Sequence, residues 1–457
     1  MKLDSKKTYL IILMISLVYA FMSFSYYYFH TPYYKDYISD EIWYVDSSRN
    51  LLYKMGLQPR SLYPYTATIF LRPEADVDEF LRWIAQNTSG VYVVTTLSKI
   101  KAVYIVLKDR SEVSIIAQNP DVKYVREGYI YGDAGDIDIY YNLEHPPLGK
   151  YFIMFFIYLF GDNPFIWRLP SYILGFLKVF LLGVFVYKIT REPFFGILGS
   201  LIQLLDPMNI YMDGLAMLEP YVSFFTILAA ISLVIGYETL GGVFIGLAGA
   251  SKMNGFFIIL PALMISSSKR FWRTFINLIL IPLIIFLLIN IPIIGLFGYK
   301  EWWDRSIVGA FSWHLSTKTK PGEGPPISAP WDWFLGVNPF YVTVNPDTPI
   351  RGNIMIYLGV ILLSIILLKF VSKYKEIVDM TILSYGTWLG YVIIWIAGNH
   401  SEYSFYMAQI SPLFDSLFVL LIYVFYKEYE NIINFYINLP RSIISVIKRY
   451  LMSQRSS

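Results

Sequence analysis

Residues 9–29 read YLIILMISLVYAFMSFSYYYF, and this run decides the fold. At about 1.5 Å per residue it covers the roughly 30 Å hydrocarbon core of a bilayer. Lys2, Lys6 and Lys7 stand before it, and polar sequence follows with no small-residue cleavage site. It therefore reads as a retained span with the N-terminus in the cytoplasm. The rest of the chain agrees: of 457 residues, 56% are hydrophobic, 18% aromatic and only 16% charged. Soluble domains carry about a quarter charged residues, so the composition is that of a polytopic membrane protein. The absence of cysteine excludes disulfides, thiolate metal sites and cysteine nucleophiles. The net charge of +3 is dispersed in short basic clusters between apolar runs, which excludes nucleic acid as the main partner and leaves membrane lipids.

Those clusters set the topology. The next spanning run, Arg168 to Tyr187, ends at Lys188 and Arg191, expected inside. Phe194 to Leu205 goes out, Tyr221 to Tyr237 comes in, and Leu240 to Ser266 reads as two short helices breaking near Lys252, Asn254 and Gly255. That break keeps Lys269, Arg270 and Arg273 inside. Phe275 to Phe297, Ile354 to Val371, Val378 to Ala397 and Phe405 to Tyr426 complete about ten spans with both termini cytoplasmic. Tyr151 to Phe160 is too short to cross and reads as an interfacial or re-entrant helix. The tail from Asn431 to Tyr450 reads as an amphipathic helix on the inner surface.

The first outer loop changes character between about Thr66 and Gly132. Strand patterns at Ala67 to Leu71, Val91 to Leu97, Ala102 to Leu107 and Val122 to Ile130 alternate with helical patterns at Val77 to Asn87 and Glu112 to Gln118. This βαββαβ order predicts a small α+β ferredoxin-like domain with a docking or lid function. The expected division is thus 1–65, the first span and the start of the outer loop; 66–132, the insert; 133–430, the membrane core; and 431–457, the basic tail.

Two motifs carry chemistry. Asp40-Glu41 follows the first span and precedes Ile42-Trp43-Tyr44, which reads either as a catalytic carboxylate pair at the membrane surface or as a solvated helix N-terminus. Glu144-His145-Pro146-Pro147-Leu148-Gly149-Lys150 leads into the short apolar helix, and its two prolines stiffen the entry. It reads equally as a proline stop with a snorkelling lysine.

Asp40-Glu41, then HPPLGK, then Trp167-Arg168-Leu169-Pro170-Ser171 together resemble the GT-C membrane glycosyltransferases, specifically the dolichyl-phosphate-mannose protein O-mannosyltransferases and their prokaryotic relatives. Asp206-Pro207 with Ala216-Met217-Leu218-Glu219, the segment Gly246 to Lys252, and Ser328-Ala329-Pro330-Trp331-Asp332-Trp333 resemble further parts of the family. The resemblance implies a GT-C fold and transfer of a hexose, mannose above all, from a polyprenyl or dolichyl phosphate to a Ser/Thr hydroxyl of a protein on the outer face of the plasma membrane, with inversion. Asp40 matches the general base, and Glu41 positions hydroxyls and holds Asp40. Arg168 and Lys150 are the cations for the phosphate, and His145, Asp206, Glu219, Lys252 and Trp331 belong to the substrate pocket. The chain departs from the family at Asp213-Gly214, at Glu219 and at Phe405-Tyr406-Met407, which leaves the acceptor open.

A phosphate leaving group needs no general acid, but the attacking hydroxyl must lose a proton, so one carboxylate base is the minimum. Two cations neutralise a monophosphate, and the scattered histidines have no ligand spacing, so no metal or other cofactor is expected to be required. Two alternatives stand: a lipid-modifying relative of the aminoarabinose-transferase kind, and a transporter using Asp206, Asp213, Glu219, Lys252 and Asp415. The chain shows no internal repeat of the transporter kind.

Overall fold

A computed structural model describes residues 4–266, 271–316 and 324–438. The chain enters through α1 (Ser5–His30), whose N-terminus Asp4 caps by accepting from Lys7 N at 2.8 Å. One turn later α2 (Glu41–Lys54) starts at Asp40. An α+β segment follows: β1 (Tyr65–Leu71), α3 (Val77–Asn87), β2 (Val91–Leu97), β3 (Ala102–Leu107), α4 (Glu112–Ile116) and β4 (Val122–Glu127). Its strands form one antiparallel sheet in the order β2-β3-β1-β4. Ile69, Phe80, Val103, Ile105 and Ile116 make a core of its own, separate from that of the helices.

The membrane part continues with α5 (Leu148–Phe160), α6 (Pro164–Thr190), α7 (Pro193–Leu204), α8 (Pro207–Met212), α9 (Glu219–Val234), α10 (Glu238–Ser251) and α11 (Ile259–Ile265). Among the described residues, four helices are long and apolar enough to cross a membrane: α1, α6, Phe271–Phe297 and Lys375–Ile396. The other expected spans form shorter helices, among them α7, α9 and Ile354–Ile366, because prolines and polar breaks divide the apolar runs. The break expected near Lys252 falls on that residue: it is extended (φ −157°, ψ 140°), and Met253–Ile258 coils into a 3-10 turn before α11. The helical tail is described only to residue 438, so most of the expected amphipathic helix, with Lys269 and Arg270 elsewhere, lies outside the described residues.

Two differences from the sequence reading bear on the site. Asn163 caps α6 four residues earlier than expected, accepting from Ile166 N at 3.1 Å, so Arg168 lies inside the helix rather than at its boundary. The late polar stretch also holds a short hairpin, Phe340–Val344 with Asp347–Ile350.

A buried polar joint fixes α2. Arg49 is held by Asp46 at 2.6 Å and by Asp162 at 2.9 Å, and it donates to the Ile130 carbonyl at 3.2 Å. Asn50 donates to the carbonyls of Ile137 and Tyr140, both at 2.7 Å. These contacts tie the middle and C-terminal half of α2 to the chain leaving the sheet and to the α5–α6 turn, and so fix the helix whose N-terminus carries Asp40.

Candidate active site

Asp40 is the N-cap residue of α2, yet its carboxylate takes no hydrogen bond from the free amides of the first turn. An N-cap aspartate normally accepts one, so this side chain is left for another partner. It is half-buried, and burial together with the charge of Glu219 raises its pKa to about 6, while Lys252 pulls in the opposite direction.

Glu219, the first residue of α9, and Lys252, the residue after α10, form a buried ion pair at 2.5 Å. Lys252 Nζ also lies 4.1 Å from the centre of the Tyr406 ring. Glu219 Oε2 and Glu402 Oε2 are both buried with no protein partner. Glu402 sits in the loop after Lys375–Ile396, where burial raises its carboxyl to about 9 against the opposing charge of Lys252. Three acids, Asp40, Glu219 and Glu402, thus act on one ammonium, from four separate parts of the chain. Tyr44 stands beside the same group, its ring edge-on to His145 at 5.9 Å.

The other expected site residues divide differently. Glu41 is fully buried: Oε1 accepts from Arg168 Nε at 2.8 Å and from Ala216 N at 2.7 Å, and Oε2 accepts from Arg168 and from Ile38 N. With four donors on two oxygens, it has no capacity left for a substrate hydroxyl. Arg168 is equally enclosed, donating also to the carbonyls of Tyr34 at 2.7 Å and Asp36 at 2.6 Å. In this structure its guanidinium is taken up by a buried carboxylate and two carbonyls. Lys150 is enclosed in the same way. It does not snorkel but is buried, donating to the carbonyls of Tyr141 at 3.3 Å, His145 at 3.0 Å and Asn142, and so it pins the HPP loop to the start of α5.

Asp206 is not brought to Asp40. It caps α8, accepts from Tyr357 Oη at 2.6 Å, and belongs to a separate buried polar group with Asn353, Asn209 and Asp415. Trp331 is also elsewhere, 48% exposed and packed edge-on against Trp395, whereas Trp333 is the buried ring, against Tyr391. Glu402 and Arg305, whose charge acts on Lys150 and Tyr140, were not singled out in the sequence, and Tyr406 was named only as a departure from the family pattern. Glu402 lies in a loop, Tyr406 in the 3-10 turn Ser404–Gln409 and Arg305 in the helical segment Trp303–Gly309, and only their contacts bring them to the site.

Tyr391 joins this group to an apolar cleft, accepting from Asn254 and donating to Gln409 Oε1 at 2.5 Å. The cleft measures about 340 Å³ and is lined by Asn254, Phe256, Phe257, Phe311, Leu315 and Ile393.

Residues 158–299 match the family described as dolichyl-phosphate-mannose-protein mannosyltransferase. This stretch contains Arg168, Asp206, Glu219 and Lys252 but not Asp40, Glu41, His145, Lys150 or Trp331. A polyprenol-phosphate-mannose–protein mannosyltransferase of Mycobacterium tuberculosis is 25% identical over 146 residues, covering 25% of this chain and 28% of that protein. The chain thus matches little more than a quarter of the length of this relative. Among solved structures, ArnT from Cupriavidus metallidurans bound to undecaprenyl phosphate has a TM-score of 0.50 at 12% identity, over 92% of this chain and 60% of that one. The chain is a helical membrane protein, similar in fold to ArnT from Cupriavidus metallidurans and similar over residues 158–299 to the family described as dolichyl-phosphate-mannose-protein mannosyltransferase.

Proposed function

We propose that this protein is a glycosyltransferase that moves a hexose, mannose before others, from a polyprenyl or dolichyl phosphate to a Ser/Thr hydroxyl of a protein acceptor, at the outer face of the plasma membrane. The observation that carries this reading is Asp40, a helix-capping carboxylate left free of its helix and raised to about 6 by burial and by Glu219. A general base works best when its pKa lies just below the working pH. The acceptor oxygen forms its bond to the anomeric carbon, its proton passes to Asp40, and the carbon–oxygen bond to phosphate breaks on the opposite face, which inverts the centre.

The unpartnered oxygens of Glu219 and Glu402 suit the hydroxyls of a sugar, since buried polar atoms call for partners. Lys252 and Arg305 join Arg168 and Lys150 as cations that can serve the phosphate, and Glu41 acts through its ion pair by fixing the start of α2. Two such cations neutralise a monophosphate leaving group, so no divalent metal is required. The apolar cleft beside Asn254 suits a polyprenyl chain. The donor class is supported by the mycobacterial relative, named for polyprenol-phosphate-mannose, and by the undecaprenyl phosphate bound to ArnT.

The test is direct: purified protein with radiolabelled polyprenyl-phosphate mannose and a Ser/Thr-rich peptide, with Asp40→Asn as control. Label in the peptide that depends on Asp40 is the expected result. Label appearing only in added lipid would replace the acceptor, and transfer by Asp40→Asn at the parental rate would overturn the base.

A further inference from the structure

At the far end of α6, about 30 Å along the helix from Arg168 at 1.5 Å per residue, a second cleft of about 680 Å³ opens between α6, α9 and the start of helix Lys375–Ile396. Its walls are apolar, formed by Leu181, Phe185, Leu228, Ile231 and Val234. Its mouth carries Lys188 in the last turn of α6, Arg191 at the C-cap and Glu376.

The two cations are exposed, and among the described residues neither has an ion-pair partner. Glu192, the acid next to Arg191, is taken by Lys427 at 3.0 Å. Glu376 stands at the same mouth but closes on neither cation within ion-pair distance. A helix C-terminus favours nearby positive charge through its dipole. That effect accounts for a basic residue at this position but not for an apolar recess beneath it.

The recess calls for an apolar occupant, because an empty void between helices forfeits dispersion contacts on every wall. The mouth calls for an anion at headgroup depth, where basic residues between helices attract acidic lipids. A single molecule meets both demands only if it joins an acyl chain to a negative headgroup. We infer that this cleft binds one anionic phospholipid, its acyl chain between α6 and α9 and its phosphate on Lys188 and Arg191. This site is remote from Asp40, and the inference does not depend on the proposed transfer reaction.

The test uses the full-length protein in mild detergent, titrated with phosphatidylglycerol or phosphatidylcholine and read by native mass spectrometry, with the melting temperature of each variant as the folding control. The expected result is one phosphatidylglycerol held in preference to phosphatidylcholine. Removing each cation weakens it about fivefold, so Lys188→Ala with Arg191→Ala weakens it more than tenfold. Ile231→Trp, which fills the recess and keeps both charges, weakens it to a similar degree. Lys6→Ala with Lys7→Ala removes the same charge from the same end of the bundle, where Ser5 Oγ meets Tyr187 Oη at 2.9 Å, and leaves binding unchanged. Equal affinity for the two lipids, an equal loss on removing Lys6 and Lys7, or full binding by a folded Ile231→Trp variant would each overturn the inference.

Discussion

Arg168 and Glu41 form a two-pronged ion pair, Nε to Oε1 at 2.8 Å and the second guanidinium nitrogen to Oε2 at 2.6 Å, with both side chains wholly buried. The pair joins α6 to the first residue of α2. It therefore sets where Asp40, the residue before Glu41, is held.

Breaking one side of this pair leaves an uncompensated buried charge. Glu41→Gln or Arg168→Met should each cost about 3–5 kcal/mol of stability, and the joint replacement Glu41→Leu with Arg168→Leu should recover part of it. Chemical denaturation of the purified variants in detergent measures this. If Arg168→Met left stability intact and only weakened donor binding, the structural role given to Arg168 would fail.

Asp40 must be ionised to accept a proton, and its pKa stands near 6. Transfer should rise with pH through about 6 and level off above it, and Asp40→Asn should lower the rate by about a hundredfold to ten-thousandfold. Glu219→Gln removes the like charge that raises Asp40, so the acid limb should move to lower pH. A pH–rate profile of kcat/KM for parent and Glu219→Gln checks both the limb and its direction.

Glu402 is held neutral at pH 7, with its carboxyl raised to about 9 by burial. A neutral amide of the same shape should serve nearly as well, so Glu402→Gln is expected within about threefold of the parent. Glu402→Ala, which removes the donor, should lose up to about tenfold. Collapse of activity in a folded Glu402→Gln variant would show that the charged form is needed.

Lys150 and Arg305 should separate kinetically. Lys150 holds three carbonyls of the 141–145 loop, so Lys150→Met should lower kcat with the KM for donor little changed. Arg305→Ala should raise the KM for the donor about tenfold, as expected on losing one charge-assisted bond to phosphate. Steady-state kinetics at varied donor concentration distinguishes the two patterns. Dialysis against EDTA should leave the parental rate unchanged.

Much of this molecule is legible locally. Strand and helix propensities and the turn residues that bound them are local properties, so the bounds of α3, β2 and β3 agree with the sequence reading at both ends. Lys252, Asn254 and Gly255, with the basic cluster at 269–273 that has to stay inside, likewise locate the break at Lys252. Motif likeness pointed to Asp40, Glu219 and Lys252 without showing that they meet. It also favoured Arg168 and Lys150 as phosphate ligands, because a basic residue at the edge of an apolar run looks the same whether it faces a ligand or a buried acceptor.

By itself the sequence determined that the chain is a helical membrane protein carrying an α+β segment after its first span, because hydropathy over twenty residues and alternation over six are written locally. Only the tertiary structure decided which charges pair. Glu41 with Arg168, Glu219 with Lys252, and Glu402 beside that lysine are separated by tens to more than a hundred residues in the chain. Whether a charged group is available for chemistry depends on its buried neighbours, and those are set by helix packing.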